Sequence, residues 1–537
     1  MNTLHWMRAA AALALLGSTA TPAQERTAPL NETERAAHVL SRLTYGPGPG
    51  DVEHLVEVGV DAWLEEQLAL PEDAGVESLL AQLPSLELSA REIYERYGNR
   101  IPNGGSPKER ARARNLLLNP RDELMRATAL RAVYGERQVA EVLIDFWRNH
   151  FNVSYTKAGA SNQLITEWDA RVLRRHGLSD FESLLLATAH HPAMLVYLDN
   201  SVSKRPPTDQ KLAEIERDVR GETGSREAGI AAAELASLRG VNENYARELL
   251  ELHTFGVDNG YKQEDVVALA EILTGWTWSP GRDGTWEFNF NEGAHVPGSK
   301  RFLRQRIQGN PLDGQEEGEE VLRLLAGHRR TADFLATKLC RLLVRDDPSN
   351  DIVSAVAATL RKHDGELLPA VQTILGHPDF WDRSTLGAKI KTPQEFVYSA
   401  LRATGASVSD WDALLDRLQV MNQPIYHCDD PTGWSDTAEA WLDPGILAQR
   451  WQFAIDLASD KIRGVSLPPY FFDELSEDVP VVEWSRNLVK RLLPLGIGTR
   501  TQYALDNLVV KNRFEEPQTL RIRMLALILG CPEFQRQ

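Results

Sequence analysis

Cysteine is scarce in this chain: only Cys340, Cys428 and Cys531 occur in 537 residues, and no Cys-x-x-Cys pair is present. A zinc site built from thiolates is therefore not supported. There is no Gly-x-Ser-x-Gly elbow, no His-Glu-x-x-His, and neither a P-loop nor a dinucleotide-binding glycine pattern. A serine α/β-hydrolase, a zincin protease and a nucleotide-binding domain thus each lack their sequence signature. No repeat of fixed period is visible. Beyond the first two dozen residues no segment has ~18 uninterrupted apolar residues, so the mature chain is expected to have no transmembrane segment. Excess positive charge is also missing. The net charge of −17 repels phosphate backbones and argues against nucleic acid or an anionic membrane as partner.

Ordinary globular composition is present, with 42% hydrophobic and 25% charged residues. A large core can form, and the length allows two or three domains. Tryptophan is abundant, at 13 residues. Such side chains serve either as sugar-stacking platforms or as filler in a large helical core. The N-terminus reads as an export signal over residues 1–23. "MNTLHWMR" supplies a short basic n-region, "AAAALALLGSTA" an apolar run too short to span a bilayer, and "TPAQE" a cleavage region. The expected location is periplasmic or secreted. In that oxidising compartment Cys340 and Cys428 are the expected disulfide, with Cys531, in the apolar "LALILGCPEF", a buried free thiol.

Apolar residues recur at helical spacing almost throughout, so the expected fold is all-α, a large multi-helical protein with a small β-hairpin excursion. "ETERAAHVLSRLTYG" places Ala36, Val39, Leu40 and Leu43 on one face, with Gly46 as a stop. A helical run is expected from Pro120 to about Phe151, broken near Gly135. Thr392-Pro393 starts another helix. The excursion is placed at 284–303, where Trp286, Phe288 and Phe290 alternate. The regions read as an N-terminal helical part (30–200), a charge-rich insertion (201–240), a central helical part with the β excursion (241–390) and a C-terminal helical part (391–537).

Seven stretches, "HVLSRLTYGPGPGDVEHLVEVGVDAWLEEQL", "FWRNHFNVS", "HPAMLVYLDN", "NENYARELLELHTFGVDNGYKQEDVVALAEILTGW", "KTPQEFVYSALRATGA", "NQPIYHCDDPTGW" and "WLDPGILAQRWQFA", resemble in order one bacterial family, the "domain of unknown function 1800" family. The resemblance implies a mainly helical, exported protein and no established reaction. It also implies work at the cell envelope or on imported polymers, beside an exported partner that looks like a phosphatase or sulfatase. Two departures weaken any metal site at these positions. Arg148 stands where the family often has a second histidine, and His295 in "HVPGSK" lacks the acidic neighbour of the family's "HD.G.K" pattern.

The densest group of ionisable residues lies in "NENYARELLELHTFGV", 242–257. On a helix, Asn244, Glu248 and Glu251 share one stripe, Glu243, Arg247 and Glu251 an adjacent one, and Tyr245, Leu249 and Leu252 an apolar edge; His253 faces the core side. Three uses compete. The helix face is simply solvated, with Glu243–Arg247–Glu251 pairs of ~0.2–0.5 kcal/mol each. Alternatively, Glu248 and Glu251 act as acid and base, tuned apart by burial and Arg247. They would cleave glycosidic bonds as a hydrolase or lyase on a polysaccharide, with Trp147, Asn244, Asp199, Trp276 and Trp278 holding the sugar. In the third, His150, His191, His253 and His295 meet a glutamate around a divalent metal cofactor. A non-catalytic binding or assembly protein, using the same cleft for the phosphatase-like partner, is the rival to any enzyme. The loop His427–Asp430 is read as disulfide plus turn chemistry, without a ligand.

Overall fold

The computed structural model describes residues 29–98, 106–157, 161–208, 217, 240–309, 314–476, 478–512 and 514–537. The export segment and most of the charge-rich insertion lie outside the described residues. Helices dominate, and their starts follow local chemistry. Asn31 accepts from the backbone N–H of Glu34, whose carboxylate accepts from Asn31 in return, opening the helix Glu32–Leu43. Ala36, Val39, Leu40 and Leu43 face inward, as their spacing predicts. Thr392 and Glu395 form the same reciprocal cap, and Pro393 takes the first helical position of Pro393–Thr404. A third cap, Ser106 with Glu109, starts the helix Pro107–Tyr134. That helix begins 13 residues before Pro120, the start expected from sequence, and carries Pro120 in its interior. Gly135 ends it as expected.

One contiguous apolar core runs from Ala36 to Phe534 and draws on all three helical regions, so they share one interior instead of forming separate cores. Arg329–Leu343 packs on Asn350–Lys362, and Pro444–Ala458 packs on Pro517–Gly530. The chain end is tied in by backbone bonds between Lys389 and Gln537 and an isolated bridge between Ile390 and Arg536. The β excursion is present but begins earlier than expected. Trp276–Trp278 pairs antiparallel with Phe288–Phe290, Trp276 opposite Phe290 and Trp278 opposite Phe288. Lys300–Phe302 pairs with Gln305–Ile307. Trp286, expected in the alternating strand, has φ +65° and stays outside it. Among the described residues no helix is long and apolar enough to cross a membrane.

The expected disulfide is corrected. Cys340, Cys428 and Cys531 are all free and buried. Cys340 belongs to the core side of Arg329–Leu343, where burial and then Asp379 push its thiol up to about 12. Cys428 lies in the loop beside Tyr197, its Sγ 3.6 Å from the Asp430 carbonyl. The two thiols occupy different neighbourhoods, and neither is activated.

Candidate functional site

Asn244–Glu248 starts as an α-helix, with the Asn242 side chain accepting from Asn244 N–H at 2.9 Å. It then widens into a π-helical turn, Leu249–Thr254. The Phe255 and Gly256 amides both donate to the Leu250 carbonyl, at 2.9 and 3.1 Å, and Thr254 Oγ1 donates to the Leu249 carbonyl. π turns of this kind recur at functional sites. Gly256 (φ +90°) ends the turn, and a Cβ there would lie 3.0 Å from the Phe334 ring. The widened turn sends Leu249, Leu250, His253 and Thr254 inward.

The outer stripe behaves as a solvated face would. Arg247 pairs with Glu243 at 3.0 Å and with Glu251 at 3.6 Å, and donates to Gln263 at 3.0 Å. Glu248 differs. It is half-buried, and burial, followed by the charges of Glu251 and Asp430, raises its pKa against the opposing pull of Arg247. The sequence pattern had paired Glu248 with Glu251; Asp430 is the residue it missed. Asp430 is 182 positions away and is delivered by contacts of Asn152, whose Nδ2 donates to the Cys428 and Asp430 carbonyls at 2.9 and 2.7 Å. Tyr197 Oη donates to the Asp429 carbonyl at 3.0 Å, and the Thr156 hydroxyl bonds the Asp429 carboxylate. The doubled acid in "HCDDPTGW" was the available signal.

Asp199 and Lys157 form a half-exposed ion pair at 2.9 Å on the same side. Asn242 Nδ2 donates to the Asp199 carbonyl and Asn244 Nδ2 to the Leu198 carbonyl. Asn244, expected to hold substrate, therefore fastens the 198–203 turn to the helix. Trp147 and Trp276 are corrected as sugar platforms: both are buried, and Trp147 donates its indole N–H to the Gly177 carbonyl at 2.7 Å. Trp278 is half-buried and meets Trp286 edge-on at 5.3 Å.

The four histidines do not converge. His150 and His253 are neighbours, their rings 6.1 Å apart. His191 caps the helix Pro192–Tyr197 and lies against Trp168. His295 bonds Glu317 at 3.1 Å, beside Lys300 at 2.8 Å from the same carboxylate. Among the described residues no group of three or more His, Cys, Asp or Glu side chains is placed to hold a metal. His253, expected as a catalytic residue, is buried, and burial followed by Lys338 lowers its pKa to about 3. It is a neutral core imidazole at physiological pH.

Behind this surface lies a polar interior. Asp169 accepts from Arg148 at 3.1 Å, from Arg174 at 3.0 Å and from the Tyr426 hydroxyl. Burial opposes its ionisation, but Arg174 and Arg148 hold its carboxyl well below the usual range. Arg174 also forks onto Glu141 at 2.9 and 2.8 Å. Beside this network is a cavity of about 110 Å³, whose lining includes Arg42, Arg148, Lys338, Glu395, Tyr426 and Trp434.

The fold and these sites define a large helical protein with a carboxyl cluster at a π turn and a polar interior. The family model described as "Protein of unknown function (DUF1800)" matches residues 38–536, and the chain belongs to that family. No curated protein matches the chain, and no solved structure matches it.

Proposed function

We propose that this chain is an exported hydrolase or lyase that works by general acid–base catalysis on a polymeric substrate of the cell envelope, a polysaccharide, with Glu248 as the acid. The observation that carries this reading is the Glu248 carboxyl, half-buried and raised in pKa by burial and by Glu251 and Asp430. A half-buried carboxyl whose pKa is raised by its surroundings is how such chemistry prepares a general acid. Asp430 and Glu251 are the candidate bases. The half-exposed pair Asp199–Lys157 lies along the same edge and suits an extended chain more than an enclosed small molecule. With Trp147 and Trp276 in the core, these polar groups and the half-buried Trp278 are what is left to hold the sugar. The export part rests on residues 1–23.

The test is turnover by the mature protein on a panel of envelope and soluble polysaccharides, followed by new reducing ends for a hydrolase and by unsaturated-sugar absorbance for a lyase. Glu248→Gln should lower the rate by roughly 10²–10⁴-fold, the usual range for loss of a general acid. Unchanged turnover in that variant would remove the assignment.

One observation favours the rival reading, a non-catalytic assembly protein for a phosphatase- or sulfatase-like partner. Arg247, the cation expected to tune the acid, is engaged by Glu243 and Gln263. Stoichiometric co-purification of such a partner, with no turnover on any polymer, is the outcome that reading requires.

A further inference from the structure

A groove of about 790 Å³ is lined by the helices Glu32–Leu43 and Pro393–Thr404, the segments 382–391 and 492–501, and the chain end 532–537. It shares no lining residue with the Glu248 cluster. Its volume suits a small-molecule ligand. The lining includes the apolar Leu386, Leu493, Ile497 and Phe534, and two polar side chains set side by side, Lys391 and Ser399.

Lys391 Nζ lies 3.0 Å from Ser399 Oγ. Lys391 stands just before the Thr392 cap, and its amide donates to the Gln535 carbonyl at 2.9 Å, which fixes its backbone. Ser399 lies about two turns into the helix. Helical Cα–Cβ bonds tilt toward the N-terminus, so its side chain leans back toward the amine. Besides Ser399, Lys391 meets the Phe534 ring, and no carboxylate among the described residues forms an ion pair with it. A lysine buried without an ion pair is rare. Burial lowers its pKa to about 7, against the opposing charges of Glu395 and Cys531, so neutral amine is present at physiological pH. A charged amine can only donate, and the Ser399 hydroxyl then donates to the Phe396 carbonyl at 3.1 Å. A neutral amine has a lone pair free to take the hydroxyl proton. A hydroxyl and a base within hydrogen-bond reach are the signature of an activated nucleophile.

We propose that Ser399 and Lys391 form a second catalytic site, a serine nucleophile with a lysine base, which hydrolyses carboxylic esters carrying an apolar acyl group. Ser399 Oγ bonds to the ester carbonyl carbon as its proton passes to Lys391 Nζ. The ester C–O bond then breaks, and the leaving alkoxide takes that proton. Water, deprotonated by the same amine, releases the acid from the serine. Serine–lysine pairs perform this role on other folds. The apolar lining suits the acyl chain. The site is independent of Glu248 and of the reaction proposed there.

The test uses the full mature chain. Labelling by an alkyl fluorophosphonate, whose phosphorus bonds to an activated serine oxygen as fluoride leaves, is followed by peptide mass spectrometry. Turnover of p-nitrophenyl esters from acetate to octanoate is followed in parallel. Ser399 should carry the phosphonyl group, and its labelling rate should rise with pH through about 7. Ser399→Ala should lose both the label and the turnover. Lys391→Met should lower both rates by roughly 10²–10⁴-fold, as loss of a general base does. Lys391→Arg, whose guanidinium stays protonated, should be as slow. Ser485, another buried helix serine, donates to the Val482 carbonyl at 3.2 Å, and Ser485→Ala should change neither rate. Should Ser399→Ala not fold, the position of the label on the wild type decides. A wild-type chain not labelled at Ser399, ester turnover no faster than in Ser399→Ala, or labelling as fast in Lys391→Met as in the wild type overturns the proposal.

Discussion

His150 Nε2 donates to the backbone carbonyl of His253 at 3.0 Å. A carbonyl can only accept, so the proton sits on Nε2, and Nδ1, buried and without a partner, is the bare nitrogen. Burial, then Lys338 and His253, keeps the imidazole well below its ordinary pKa. This bond joins the end of the helix Gln138–His150 to the π turn, within a cluster that includes Phe151 and Phe181. His150→Ala should therefore cost stability, by about 2–4 kcal/mol, through the cavity and the lost bond together. Urea unfolding measures it; a loss below ~0.5 kcal/mol, typical of surface positions, would show that the bond carries no weight.

Acid should unfold this protein through its buried histidines. Burial lowers the pKa values of His38, His191 and His253 to about 3, from an ordinary 6.5. The unfolded chain binds more protons between those values, so stability rises with pH across that window and falls as pH drops below about 6.5. Melting temperatures from pH 7.5 down to 4.5 should decline, and His253→Asn should flatten the slope. A melting temperature constant across the range would contradict the assignment.

Lys391 predicts the same direction of pH dependence in a higher window. Its amine donates to Ser399 Oγ at 3.0 Å and lies 4.2 Å from the Phe534 ring centroid. Burial lowers its pKa to about 7, from 10.5. The unfolded chain holds the extra proton between pH 7 and 10.5, so this group's destabilising effect is complete below pH 7 and fades as pH rises. Lys391→Met should stabilise the protein on the order of 1 kcal/mol or more, with a larger gain at pH 6 than at pH 9. An equal gain at both would show that the amine is not desolvated.

The three thiols should be found free. Peptide mapping without reductant should recover Cys340, Cys428 and Cys531 unlinked, and thiol reagents should reach them fully only on unfolding, since all three are buried. A Cys340–Cys428 crosslink would require the loop around Asp430 to leave Asn152.

Local signals were legible in the sequence. The inward set Ala36, Val39, Leu40 and Leu43, the Thr392-Pro393 start and the stop at Gly135 each depend on neighbours a few positions away, and the helical fold follows from many such signals. The start at Pro107 was missed because a basic, polar stretch carries little periodicity, although Ser106 and Glu109 spell out its cap. The π turn was not legible: nothing in Leu249–Thr254 distinguishes a 3.6-residue period from a wider one. Long-range meetings were also hidden. Glu248 and Glu251 were found from spacing, but Asp430 reaches Glu248 only because Asn152 bonds its loop. Burial decided the rest: the same tryptophans and histidines suit a cleft or a core, and packing put Trp147, Trp276 and His253 in the core.

Glu248 should keep its proton better than an ordinary glutamate does. Direct titration of its carboxyl, by ¹³C-glutamate resonances assigned through Glu248→Gln, tests this without a known substrate. The pKa should lie above the ordinary 4.5 and fall back toward it when Glu251→Gln and Asp430→Asn remove the neighbouring charges. A carboxyl that titrates at or below 4.5 in the wild type, or that is indifferent to both neighbours, would contradict the account.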